Sequence, residues 1–185
     1  VNQLDSKAGR PRTRVAVFAC IVIAALALDQ LTKWMAETYL PARGSLTVIP
    51  GVLSLTLVHN PGASLGLGSN MTWLISLLAC VACVVLLALA WRTTSMAWTV
   101  CLALAFTGAL GNLIDRVVHA DGFLNGKVVD FLDYGWSVGN VADVYLMVAA
   151  VGIIVLVLCN VPFRARPDEP GPGDTTDATT GRRTA

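Results

Sequence analysis

Long apolar runs alternate with short polar stretches along this chain, and the runs predict its architecture. Residues 71–91 pass 21 positions without a charge, 96–114 pass 19 and 144–161 pass 18. A helix crossing the hydrocarbon core of a bilayer needs about 20 residues at a rise of ~1.5 Å each, so each run predicts a spanning helix. A fourth run, 15–28, has 14 residues and continues through Gln30, Leu31, Thr32 and Trp34 towards Leu40. A cleaved secretory leader is its competing reading, because Lys7, Arg10, Arg12 and Arg14 precede it and Ala25-Leu26-Ala27 has the character of a cleavage site. The apolar pattern resumes after Asp29 instead of giving way to a polar start, which favours a span.

Between the spans lie two larger polar stretches, 41–70 and 117–139. In the first, Leu46-Thr47-Val48-Ile49 is a β-prone run and Pro50-Gly51 marks a turn. Leu53, Leu55 and Leu57 then alternate with Ser54, Thr56 and Val58. Period-two alternation predicts a half-buried strand, and so a small sheet lying on the membrane between the first and second helices. The second stretch carries turn dipeptides, Asp121-Gly122 and Asn125-Gly126, and reads as a loop. The expected fold is a mainly α membrane protein with four transmembrane helices and a small extracytoplasmic β-sheet. Residues 1–14 read as a flexible basic arm, 15–161 as the membrane domain and 162–185 as a disordered tail rich in Pro, Gly, Asp and Thr.

Composition agrees with a membrane protein: 55% of residues are hydrophobic and the mean hydropathy is +0.67. A formal net charge of +1 and the lack of aromatics interleaved with Lys or Arg argue against nucleic-acid binding. Basic residues gather in the N-terminal arm, at Arg92 and in the tail (Arg164, Arg166, Arg182, Arg183), whereas the two larger loops and their edges carry only Lys33, Arg43, Arg116 and Lys127. The positive-inside rule then places both termini in the cytoplasm and both loops outside. All five cysteines lie within apolar runs and read as small buried hydrophobes; Cys80-x-x-Cys83 lacks the βαβ context of a redox pair.

Residues 108–147 hold the candidate chemistry, with Asp115, Asp130, Asp133 and Asp143 at or near a membrane boundary. A carboxylate there is costly and marks function by default. Asp115 ends an outgoing helix, Asp143 begins an ingoing one behind a candidate N-cap, Asn140, and Asp130 lies between them among apolar neighbours. Asp133, beside Tyr134-Gly135, reads as more exposed. Two carboxyl groups at that depth can hold one water and share one proton, one ionised and one acidic. Gly108, Asn112 and Asp115 share a helix face. Asp29 and Lys33, at i and i+4, read either as a bracing ion pair or as part of the site. His59 and His119 lie on separate loops without a metal-binding spacing, Ser64 lacks a nucleophile-elbow pattern, and there is no phosphate-binding glycine loop. A transporter or proton relay would need polar groups at mid-membrane on several helices, and the second helix has none. An assembly scaffold would leave the converging acids and amides unexplained.

Taken together, these residues resemble lipoprotein signal peptidase, the bacterial signal peptidase II family. The resemblance spans about Arg14 to Val161 and rests on D-Q-x-x-K (Asp29, Gln30, Lys33), H-N-x-G-A-[AS] (His59, Asn60, Gly62, Ala63, Ser64), G-x-x-G-N-[LI]-x-D-R (Gly108, Gly111, Asn112, Asp115, Arg116), V-V-D-F (Val128 to Phe131) and N-x-A-D (Asn140, Ala142, Asp143). It implies a monomeric aspartyl endopeptidase of the inner membrane, its active site near the outer face, that removes the signal peptide from diacylglyceryl-modified prolipoproteins just before the lipidated cysteine. It implies Asp130 and Asp143 as the catalytic pair and Asn60, Gly62, Asn112, Arg116 and Asn140 as substrate-binding. Asp29, Lys33 and Asp115 become structural support, Asp115 by fixing Arg116 or a loop. No metal or organic cofactor is implied. Thr107, Gly139 and Leu65 depart from the family pattern, the stretch from Arg116 to Asp130 is longer than expected and that from Asp130 to Asp143 shorter.

Overall fold

The computed structural model describes residues 3–62 and 71–164, apart from the side chains of residues 3–11. Ala63, Ser64 and Leu65 lie outside the described residues, as does the tail from residue 165. Eight elements follow in order: α1 (Gln3–Tyr39), β1 (Leu46–Ile49), β2 (Leu53–Asn60), α2 (Thr72–Arg92), α3 (Met96–Val118), β3 (Val128–Asp133), β4 (Val138–Gly139) and α4 (Val141–Leu158). All four helices are long and apolar enough to cross a membrane. Their outward residues are large and apolar, among them Ile23, Val84, Val151 and Leu158, as expected where lipid replaces water.

α3 is the central helix, packed against α1, α2 and α4. Lipid gives no hydrophobic drive for helices to associate, so close backbone approach must supply the attraction. A Cβ on Gly108 would stand 2.5 Å from the Ala142 carbonyl oxygen of α4, and one on Gly111 would stand 2.5 Å from Asp29 Oδ2 of α1. These two glycines set α4 and α1 against α3 at the level of the acidic residues.

The sheet is larger than the sequence pattern suggested. Its strands run antiparallel in the order β1-β2-β3-β4, so the second polar stretch supplies half of it. Residues 128–131 are buried without a break, and a strand covered on both faces shows no alternation by which to recognise it. Pairing of Asn60 with Val128 and of Val58 with Asp130 fixes β3 against β2. Phe131 packs with Ala36 and Leu40, seating the sheet on the end of α1. A tight turn joins β3 to β4: Tyr134 N donates to Ser137 O at 2.9 Å, and Gly135 takes a left-handed φ of 84°. β4 runs directly into α4, which accounts for the short interval between Asp130 and Asp143.

The basic arm is helical from Gln3 onward, continuous with the first span. At the other end the packed structure reaches Arg164. Trp98 Nε1 donates to Val161 O at 3.1 Å, Thr93 Oγ1 donates to Phe163 O at 2.8 Å, and Arg164 Nε donates to Arg92 O at 2.9 Å. Arg14 also donates to the Thr93 carbonyl.

Candidate active site

α4 begins with the N-cap the sequence predicts. Asn140 Oδ1 accepts from Asp143 N at 3.1 Å, and Asp143 Oδ2 accepts from Asn140 N at 3.2 Å, a reciprocal box that satisfies two donors of the first turn. The other oxygen, Asp143 Oδ1, accepts from Asn112 Nδ2 of α3 at 2.8 Å. Asp130 is held from both sides of its strand: Asn140 Nδ2 donates to Oδ1 at 2.6 Å and Asn60 Nδ2 donates to Oδ2 at 2.9 Å. Asn140 Nδ2 also donates to Asn112 Oδ1 at 3.0 Å. One wholly buried amide therefore links the two acids.

Behind the pair lies an ionic hub. Lys33 Nζ meets Asp29 Oδ2 at 3.0 Å, Asp115 Oδ2 at 2.8 Å and Asn112 Oδ1 at 3.2 Å. An ammonium has three donors, and these partners use all of them. Each hub carboxylate also takes the backbone N–H beside a member of the pair. Asp29 Oδ1 accepts from Ala142 N at 2.9 Å, just before Asp143, and Asp115 Oδ2 accepts from Val129 N at 3.1 Å, just before Asp130. Gln30, given no role from sequence, donates to Asp29 and to Asp115 and completes the hub.

A cavity of about 810 Å³ opens over the pair and is lined by Asp130, Asp143, Asn60, Gly62, Asn112 and Arg116. Asn140, expected to hold substrate, is not among its lining residues and stands behind the carboxylates instead. Arg116 reaches the cavity, yet its guanidinium donates to the carbonyls of Pro61, Gly62 and Gly126, tying the end of β2 to the second loop. The ion partner of Asp115 is Lys33, not Arg116. Sequence reasoning missed the aromatic part of the wall, where Tyr134 and Trp136 stack with centroids 6.1 Å apart and both line the cavity. Aromatic residues flanking a turn at the membrane boundary were the available cue. Asp133 Oδ1 accepts from Gly135 N at 2.8 Å and serves the turn.

Burial pushes the Asp130 carboxyl up to about 6, helped by the neighbouring Asp143 charge and opposed by the hydrogen bonds from Asn60 and Asn140 and by Lys33. Two shifts follow with opposite signs. Asp143→Asn removes the like charge and will lower the Asp130 titration; Asn60→Ala removes a donor to the ionised form and will raise it. Infrared titration of the carboxyl band in protein labelled at aspartate reads both directions.

Four spans, a sheet on one end of the bundle and two amide-bridged carboxylates facing one cavity define a multi-pass membrane protein with a two-carboxylate centre. A family model described as signal peptidase (SPase) II matches residues 21–159. The chain belongs to the signal peptidase II family, a family of proteases. It is 63% identical over 166 residues to the lipoprotein signal peptidase of Bifidobacterium adolescentis, covering 90% of this chain and 89% of the relative. It is 36% identical over 155 residues to that of Mycobacterium avium, covering 83% and 85%. A bacterial membrane enzyme solved by the in meso method at 2.3 Å superposes with a TM-score of 0.68 at 28% identity, over 84% of this chain and 95% of the other.

Proposed function

We propose that the protein is an intramembrane aspartyl endopeptidase that removes the signal peptide from diacylglyceryl-modified prolipoproteins, cutting just before the lipidated cysteine. The observation that carries this reading is the bridging of Asp130 and Asp143 by Asn140 beneath one cavity. Asp143 is the ionised member and general base: it accepts N–H bonds from Asn112 and Asn140 at the positive end of α4. Asp130 holds the shared proton and is the general acid, since burial and the like charge favour its neutral form.

Asp143 takes a proton from water as the water oxygen bonds to the scissile carbonyl carbon, and Asp130 gives its proton to the carbonyl oxygen. The tetrahedral product then collapses. Asp143 returns its proton to the departing amide nitrogen, Asp130 recovers one from the diol, and the C–N bond breaks to leave a carboxylic acid and an amine. Asn60, Gly62, Asn112 and Arg116 bind the substrate backbone along the wall, while Asp29, Lys33 and Asp115 position the pair. No metal or organic cofactor takes part. The centre is complete in one chain, in keeping with a monomer. Arg14, Arg92 and Arg164 cluster at the end of the bundle opposite the acids, which supports cytoplasmic termini and an active site near the outer face of the inner membrane.

Purified protein will cleave a diacylglyceryl-modified lipobox peptide and leave its unlipidated twin intact. Equal turnover of the two would overturn the lipid requirement, and cleavage of neither would overturn the peptidase reading.

A further inference from the structure

Three arginines converge at the end of the bundle away from the carboxylate pair. Arg92 is the last residue of α2. Arg14 of α1 donates through Nη1 to the Thr93 carbonyl, and Arg164, beyond the end of α4, donates through Nε to the Arg92 carbonyl at 2.9 Å. Two cations from opposite ends of the chain thus settle on adjacent carbonyls, one of them Arg92's own. The backbone beneath them is fixed. Thr93 is 1% exposed, and its hydroxyl and the Thr94 N–H both hold the Phe163 carbonyl, at 2.8 and 3.0 Å. Phe163 in turn packs edge-on against Trp98, with ring centroids 5.3 Å apart.

Carbonyls at the end of a helix attract cations, and that accounts for part of the arrangement. The helix terminus supplies only about half a negative charge, whereas each arginine brings a full positive one. No acid is at hand to balance the surplus. Every acidic side chain described, from Asp29 to Asp143, lies in the half of the molecule that holds the carboxylate pair. Among the described residues none of the three arginines forms an ion pair with a carboxylate. A guanidinium has five N–H donors, and among the described residues Arg14 and Arg164 spend one each. Arg92 and Arg164 are exposed and Arg14 is half-buried, so the remaining donors are open to a ligand.

Fork-shaped donors without carboxylate partners match the paired oxygens of a phosphate. The surroundings choose between a dissolved phosphate and one carried by lipid. Trp91, beside Arg92, is 82% exposed, and Val15, beside Arg14, is 56% exposed. An indole at the water boundary of a span sits at the depth of lipid headgroups, and the apolar sides of α1 and α2 next to it can receive acyl chains. We propose that Arg14, Arg92 and Arg164 bind the phosphodiester headgroup of an anionic phospholipid. The lipid offsets the gathered charge and ties together the ends of α1 and α2 and the chain beyond α4. The leaflet that supplies it follows from the orientation proposed above; the binding itself does not depend on the peptidase reading.

The test uses the full chain in micelles of a neutral detergent, with phosphatidylglycerol as the probe. Native mass spectrometry is expected to show one phosphatidylglycerol retained per chain, with phosphatidylcholine held roughly tenfold more weakly. Phosphatidylglycerol is expected to raise Tm. The Arg92→Gln/Arg164→Gln double variant will bind it roughly tenfold or more weakly and lose that rise, while its Tm without lipid stays close to the parent's. Arg92→Gln alone removes a side chain with no hydrogen-bond partner among the described residues, so it reads the same loss should the double variant fold poorly. Equal retention of phosphatidylcholine overturns the proposal, as does unchanged affinity in both variants. Inorganic phosphate that raises Tm as much as the lipid would overturn the lipid assignment in favour of a dissolved phosphate.

Discussion

Asn in place of Asp130, or of Asp143, will cut hydrolysis of a diacylglyceryl-modified peptide by roughly 10³-fold or more while the protein still inserts and folds. The expectation follows from the division of labour in the pair. Asn at 130 can accept from only one of Asn140 and Asn60, which donate to different oxygens of Asp130, and it has no acidic proton to lend the carbonyl oxygen. Asn at 143 can keep the cap with Asn140, but it cannot take a proton from water. Because both acids serve one water in the proposed mechanism, the double variant will lose little beyond either single one. Single-turnover cleavage, with thermal unfolding measured beside it, separates lost chemistry from lost structure. Near-normal turnover by either variant would remove that residue from the mechanism.

Lys33→Met will have the largest effect on stability. The side chain is 3% exposed and its partners Asp29 and Asp115 are 0% and 2% exposed. Removing the cation strands two carboxylates away from water, and breaking such a buried pair costs roughly 3–5 kcal/mol. The loss should appear as a lower Tm in micelles and a smaller folded yield. The cost belongs to the unpaired charge and not to the missing contact alone. Adding Asp29→Asn and Asp115→Asn to Lys33→Met should therefore restore much of the stability, because the amide oxygens can still accept from Ala142 N and Val129 N. A Lys33→Met protein as stable as the parent would show that other groups balance those acids. Activity will stay low in the triple variant, because Asn112 loses one of the two donors, Lys33 and Asn140, that turn its amide nitrogen towards Asp143.

The four spans were legible in the chain because transfer of a helix into lipid is a local quantity that adds residue by residue. Asp115, Asp130, Asp133 and Asp143 stood out for the same reason, as costly charges beside apolar runs, and the resemblance to signal peptidase II picked Asp130 and Asp143 from among them; the Asn140 cap is a matter of neighbouring residues. β3 was not legible, since a strand buried on both faces carries no alternation, and its partner β2 lies about seventy residues earlier. Nor could sequence show which charge meets which. Asp115 follows no pattern that selects Lys33 over the adjacent Arg116, and the choice is made where α1 and α3 cross.

What the sequence determined by itself is a four-span membrane chain with a group of acids at one boundary. What the tertiary structure decided is their arrangement: Asn140 behind Asp130 and Asp143 instead of in the cavity, Lys33 between Asp29 and Asp115, and His59 brought to His119 through Glu37. With the bond from Ala142 N to Asp29, which spans 113 positions, those relations join residues far apart in the chain. They arise when glycines on α3 let α1 and α4 close in, and no local preference encodes such a meeting.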